Sequence, residues 1–332
     1  MTDTSNLDDV IIIGGGSTGL YTAFYCGMRG MKTKLIESDT ELGGKVAKFL
    51  PEKLIYDIGG IPQITGDELV KQTIDQAAKH QPTIVQNEWI ETIKKNEDGT
   101  FSLTSKEGMV HHSKTVIIAT GTGKFDTVQP DISNIELYTG KSHHYTMKNP
   151  QQYVGKRVMI CSNNRIGVDW ALTLEGIAEQ VYLVNNKKTF QNAADVELEQ
   201  LDKSSVVVKL ASEIGQLDGD EGWLDQIIIK SEQAAVEQID VDHLLTYHGL
   251  KMNPTPFDNW GLETDSNRVV VDHFMATNIE GIFAAGDATS YPGKTMLIAS
   301  GYTEALTAVN SAKKHLEPNA PSTVYSTVIY RK

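Results

Sequence analysis

VIIIGGGSTG, residues 10–19, decides the fold. Its first four residues form a continuous apolar run, the pattern of a parallel strand buried on both faces. They lead directly into Gly14, Gly16 and Gly19 at G-x-G-x-x-G spacing. In such a turn the first glycine permits the tight bend, the second lets backbone approach a pyrophosphate, and the third lets the helix pack close to the strand. The helix, with Thr18 in its first turn, then aims its N-terminal N–H groups at the anion. A glycine-rich turn alone is a weak signal, because packing also selects such turns. Here a preceding strand accompanies it, and Glu37 closes the next apolar run eighteen residues after Gly19. A carboxylate at that position accepts hydrogen bonds from an adenosine ribose and repels a ribose phosphate.

Three later stretches narrow the choice of dinucleotide. LGGK, residues 42–45, places a second glycine pair, including Gly44, just after Glu37. VIIATG, residues 116–121, and GIFAAGD, residues 281–287, each read as a strand ending in a turn. This succession resembles the two-dinucleotide flavoproteins, in which the late Gly-Asp turn sets a carboxylate, here Asp287, on the flavin ribityl hydroxyls. The implied cofactor is FAD rather than NAD.

A second strand-turn-helix unit, VMICSNNRIGVDWA, spans residues 158–171. Ser162, Asn164 and Gly167 occupy its three glycine positions, and the third alone is glycine. Asn tolerates left-handed backbone and so keeps the turn shape, but its side chain fills space a pyrophosphate would take. The binding outline is retained and its detail compromised.

Over nearly its whole length the chain resembles the thioredoxin-reductase-like ferredoxin-NADP reductases of bacteria. The segments that carry the resemblance are LPEKLIYDIGGIPQITGDELV (residues 50–70), KRVMI with VDWAL (156–172), NWGLE (259–263), the run from TNIEG to NSAK (277–313) and the YST of the tail (325–327). The resemblance implies an α/β fold of two Rossmann-like three-layer dinucleotide-binding domains, the second inserted into the first. It implies an FAD domain from residues 1–120 and 249–332 and a pyridine-nucleotide domain at 121–248. A homodimer would move electrons between NADPH and ferredoxin or flavodoxin. Glu37, Lys45, Leu50, Ile90, Phe125, Asp287, Ser326 and Thr327 would contact FAD, the last two in a tail that folds over the flavin, often from the partner subunit. A helix starting near Met296 would face the flavin pyrimidine and stabilise negative charge there, or simply pack on the sheet. Lys45 stands where the family has Gln, and Leu50 where it has Tyr. The lysine either favours anionic reduced flavin or is solvated, and an aromatic stacking surface is missing. Where the family carries arginines for a ribose 2'-phosphate, this chain has NNKK (residues 185–188), so that Lys187 alone falls on a matching cationic position. NADPH, NADH, another electron donor, or an FAD-binding module without turnover all remain open on these residues.

Composition sets outer bounds. With 332 residues, 40% of them hydrophobic, the chain can build two cores. A net charge of -13 argues against nucleic-acid affinity, so an acidic redox partner would need a local basic patch, from Lys45, Lys48 and Lys53 or from Lys313 and Lys314. The acidic N-terminus lacks a signal-peptide pattern and no run of eighteen apolar residues occurs, which leads to the expectation of a soluble cytoplasmic protein. Cys26 and Cys161, 135 positions apart, form no C-x-x-C pair and read as small buried hydrophobes, excluding thiol-disulfide chemistry by the chain alone. His111-His112 and His143-His144 lack ligand-spaced partners and are expected in surface loops rather than at a metal.

Overall fold

A computed structural model describes residues 7–147, 149–231 and 236–331. Residues 1–6 of the acidic N-terminal segment lie outside the described residues. The chain divides into two compact units, Met1–Lys124 with Met252–Lys332, and Phe125–Lys251.

In the first unit, strand β1 (Leu7–Ile13) lies in the middle of a sheet. It pairs in parallel with β2 (Thr33–Ile36) on one side and with the strand Val110–Ile118 on the other. Val10, Ile11 and Ile12 have no solvent exposure, which is why the run shows no polar alternation. The strand Ile282–Ala284 joins Val110–Ile118 in parallel, and the hairpin of Ile90–Lys95 and Phe101–Ser105 extends the sheet antiparallel. Helix α1 (Ser17–Met28) packs against α3 (Gly66–Ala78) and the long C-terminal helix Ile298–Leu316. Short α2 (Gly44–Phe49) follows the second glycine pair.

In the second unit a parallel sheet runs in the order His143–His144, His243–Tyr247, Arg157–Ser162, Gln180–Asn185, Val207–Leu210. The period of two along Arg157–Ser162 sorts its side chains between layers. Val158 and Ile160 pack with Val168, Trp170 and Leu174 of helix α4 (Arg165–Glu175). Met159 and Cys161 pack with Ile214, Leu217 and Ile227 of a three-stranded antiparallel sheet. Helix, parallel sheet and antiparallel sheet therefore form three layers. Among the described residues no helix is long and apolar enough to cross a membrane.

The histidine pairs depart from expectation. His111 and His112 lie in the strand Val110–Ile118, and His111 Nε2 is 2.7 Å from Glu88. His143 and His144 form a strand of their own, and His143 is fully buried. Paired strands satisfy the backbone groups that a loop would have to leave to water. Among the described residues no group of His, Cys, Asp or Glu is arranged to hold a metal ion.

The His143 ring sits between two hydroxyls, Nδ1 at 2.8 Å from Thr139 and Nε2 at 2.8 Å from Thr246. Thr139 spends its own proton on the Ile135 carbonyl, so Nδ1–H donates to Thr139 and Nε2 accepts from Thr246, a satisfied neutral tautomer. Burial pushes this imidazole down to about 4 from its ordinary 6.5, with neighbouring His144 adding in the same sense. The unfolded chain takes up the proton first. Stability conferred by neutral His143 is therefore complete above pH 6.5 and is lost as pH falls toward 4. Denaturant unfolding at pH 7 and pH 5 should show a loss of about 2 kcal/mol from this group, and His143→Gln should reduce the pH slope by about one proton.

Candidate functional site

The first turn is shaped by two close backbone contacts. Gly14 has φ +109°, and a Cβ there would lie 2.4 Å from the Ala119 carbonyl oxygen. A Cβ on Gly19 would lie 1.8 Å from the Gly14 carbonyl oxygen, so α1 reaches the end of β1 only without side chains at both positions. Gly16 is the N-cap of α1 and provides no side-chain cap. The helix start is therefore left open toward an anion.

Three other segments gather at this helix start. The second glycine pair runs against the turn, with Gly43 N–H donating to the Gly15 carbonyl at 2.8 Å and Gly44 beside the Gly16 Cα. Glu37, just past the end of β2, is buried. Its Oε2 accepts from Gly15 N–H at 2.6 Å, and its Oε1 from Asp39 N–H at 2.8 Å and Ser38 Oγ at 3.0 Å. Gly286 packs on the Thr18 side chain, which brings Asp287 in from the late Gly-Asp turn. Lys45 Nζ and Asp287 Oδ2 are 3.0 Å apart. Lys45 is thus tied to the carboxylate expected to hold a ribityl chain, rather than free in solvent.

The remaining expected contacts are less tightly gathered. Ile90 opens the edge strand two residues beyond Glu88, whose N–H donates to the Glu37 carbonyl at 3.0 Å, so it lies near the acid. Leu50 is the half-exposed C-cap of α2. Phe125 is the first residue of the second unit, on the crossing strand Lys124–Thr127. Ser326 and Thr327 stand exposed on the short helix Ser326–Ile329. Tyr330 Oη, one turn on, is 2.6 Å from Nε2 of His80, which packs on Gly27 near the C-terminal end of α1. That end is roughly 18 Å along the helix from Gly16.

The second turn differs in the donors it leaves to an anion. Asn164 is the N-cap of α4 with φ -140° and ψ 176°, extended backbone like that of Gly16 and not the left-handed conformation asparagine tolerates. Its Oδ1 accepts from Ile166 N–H at 3.0 Å. Arg165 N–H donates to the Gln191 carbonyl at 2.9 Å, Gly167 N–H to the Asn164 carbonyl at 3.1 Å, and Asn164 N–H to Ser162 Oγ at 3.4 Å. All four donors at this helix start are thereby occupied by the chain itself. Gly167 keeps its packing role, since a Cβ there would lie 2.3 Å from the Ser162 Cβ. Lys187 is exposed on a loop organised by buried Asn185, whose Oδ1 accepts from Lys187 N–H at 2.8 Å.

The model of the family described as pyridine nucleotide-disulphide oxidoreductase matches residues 8–312. The chain belongs to that family. Its relatives include a ferredoxin-NADP reductase of Geobacillus kaustophilus, 43% identical over 316 residues and 95% of each chain, and ferredoxin-NADP reductase 2 of Bacillus subtilis, 40% identical over 321 residues and 96% of each. In fold it is similar to the thioredoxin reductases of T. acidophilum and Streptococcus pyogenes. The first has a TM-score of 0.59 and 24% identity over 93% of this chain and 98% of that one; the second has 0.60 and 20% over 95% and 100%. This pyridine nucleotide-disulphide oxidoreductase has a two-domain α/β flavoprotein fold.

For a member of a family named for disulphide chemistry, its thiols are poorly placed. Cys26 and Cys161 are buried in separate units, and burial pushes both thiols up, Cys161 to about 12. Four of the five lysines of the expected basic patches are paired with carboxylates. Lys45 pairs with Asp287, Lys48 with Asp39, Lys53 with Glu52 at 3.5 Å and Lys313 with Glu317 at 2.6 Å.

The sequence reading missed the support beneath the Gly-Asp turn. Glu304, buried on the C-terminal helix, accepts from Gly286 N–H at 2.7 Å, from Tyr291 Oη at 2.7 Å and from Lys294 Nζ at 2.6 and 2.8 Å. Lys294 also donates to the Gly286 carbonyl at 2.9 Å. Burial and the Glu304 charge push the Tyr291 phenol up to about 12. A glutamate eighteen residues after Gly286, in a helix of otherwise mixed character, was the available signal. Glu304→Ala should leave an unpaired buried ammonium and a free Gly286 amide, costing about 3–5 kcal/mol in urea unfolding. Replacing the pair together, as Lys294→Met with Glu304→Leu, should cost clearly less.

Proposed function

We propose that the protein is an FAD-dependent ferredoxin-NADP reductase, working without a redox-active disulfide. The observation that carries this reading is the convergence of an open helix start, Glu37 and the Lys45-Asp287 pair, in a chain 43% identical to a ferredoxin-NADP reductase over 95% of both.

FAD fits the first turn by its chemistry. The backbone contacts at Gly14 and Gly19 keep strand and helix close, while Gly16, where a Cβ would meet nothing nearer than 3.9 Å, leaves the uncapped start of α1 facing the position a pyrophosphate takes in such turns. Glu37 accepts from the adenosine ribose and disfavours a phosphate on it. Asp287 holds the ribityl hydroxyls, and Lys45 neutralises that carboxylate while adding a cation to the site. The helix Ile298–Leu316, which also lacks a side-chain cap, directs its positive end toward the flavin pyrimidine. Bound FAD supplies the step from a two-electron hydride donor to a one-electron carrier, while the protein supplies orientation and electrostatics.

The FAD domain then comprises residues 1–120 and 249–332, and the pyridine-nucleotide domain 121–248, with Ser162, Asn164, Gly167 and Lys187 on the nucleotide's side. NADPH is the electron donor, and ferredoxin or flavodoxin the protein partner, in the cytoplasm. A homodimer accounts for the tail. Tyr330 is anchored at the far end of α1, so Ser326 and Thr327 serve the flavin of a second copy.

Anaerobic titration of the purified yellow protein tests the reading. NADPH should bleach the flavin band at lower concentration than NADH. A flavin that dithionite bleaches and neither nucleotide touches would overturn it.

A further inference from the structure

Two helices of one chain begin at dinucleotide turns, and only α4 is closed by its own residues. Its N-cap is the decisive group. Asn164 occupies the position where the first turn has Gly16, and its Oδ1 takes the Ile166 N–H at 3.0 Å. The amide end of the same side chain is held too, with Nδ2 at 3.3 Å from Asn163 Oδ1 and 3.5 Å from the Tyr247 carbonyl. Around it the turn is bound to the segment at Gln191, which accepts from Arg165 N–H and donates to the Asn163 carbonyl at 2.8 Å. Arg165, a cation suited to phosphate, is engaged by Glu197 at 2.8 Å. Ile166, 37% exposed, puts an apolar side chain on the first turn of the helix.

We propose that Asn164 is the residue that sets this chain's affinity for nicotinamide dinucleotide. Acting as the cap of its own helix, it holds the amide a phosphate would otherwise engage, so nucleotide binds only by displacing it. The proposal rests on the reading of the protein as an NADP(H)-dependent reductase. These residues do not fit a pyrophosphate seated as the first turn would seat one. An anion approaching α4 finds no free first-turn N–H, and each one it takes must first lose an existing partner. The exchange of one internal hydrogen bond for one charge-assisted bond returns little net free energy.

Removing the side chain leaves the amide available at small cost to the helix, because glycine is nearly as good an N-cap as asparagine. Asn164→Asp does the opposite, keeping the cap and adding a negative charge beside the phosphate. The experiment is calorimetric titration of oxidised, FAD-loaded protein with NADP+, which binds without reducing the flavin. Thermal melts of each variant accompany it. Asn164→Gly should bind NADP+ on the order of tenfold tighter than wild type, and Asn164→Asp on the order of tenfold weaker, with melting temperatures close to wild type. Wild type and Asn164→Gly binding equally, or the glycine variant binding more weakly while remaining folded, would overturn the role of Asn164 alone. Binding of NADP+ by none of the three would overturn the reductase reading and this proposal with it.

Discussion

The structure depends on a distance no side chain can survive. A methyl group on Gly19 would sit 1.8 Å from the Gly14 carbonyl oxygen, so the end of β1 and the start of α1 meet backbone to backbone. That contact turns the chain sharply enough for the first N–H groups of α1 to face outward at the sheet's carboxyl edge, where ligands of such sheets bind. Everything else in the first unit accommodates it. Gly43 and Gly44 run against the turn, Gly286 and Gly301 lie on Thr18, and the Glu304-Lys294 pair fixes the backbone that presents Asp287.

The second unit separates two jobs that glycine does together in the first. Gly167 still lets helix approach strand, because Ser162 fills the space a side chain would need. The glycines that would let phosphate approach helix are replaced, and Asn164 takes over the donor they would have left free. Selection for folding and selection for anion binding act on different positions of the same motif. A degenerate motif can therefore keep a sound three-layer fold, with Val158 and Ile160 on one face and Met159 and Cys161 on the other.

Much of this was legible because it is local. The apolar run 10–13, the spacing of Gly14, Gly16 and Gly19, and Glu37 at the end of the next strand are short-range patterns that backbone sterics enforce. What escaped the reading joins distant residues or turns on a side chain with two uses. Lys45 and Asp287 are 242 positions apart, and nothing near Lys45 marks its partner. Two of the lysines expected in a basic patch, Lys45 and Lys48, are paired with carboxylates that folding brings to them, Asp287 and Asp39. Asparagine favours both left-handed turns and N-caps, so residue type left Asn164 undecided, and the neighbouring helix chose the cap. The histidine pairs carried no apolar alternation of their own, yet the strands beside them enclosed His143 completely.

Hydrogen exchange on FAD-stripped and FAD-loaded protein tests the central contrast between an open and a closed turn. Loading should slow exchange at residues 14–19, 43–45 and 286–289 and leave residues 162–167 unchanged. Protection centred on 162–167, with the first turn unaffected, would contradict the account.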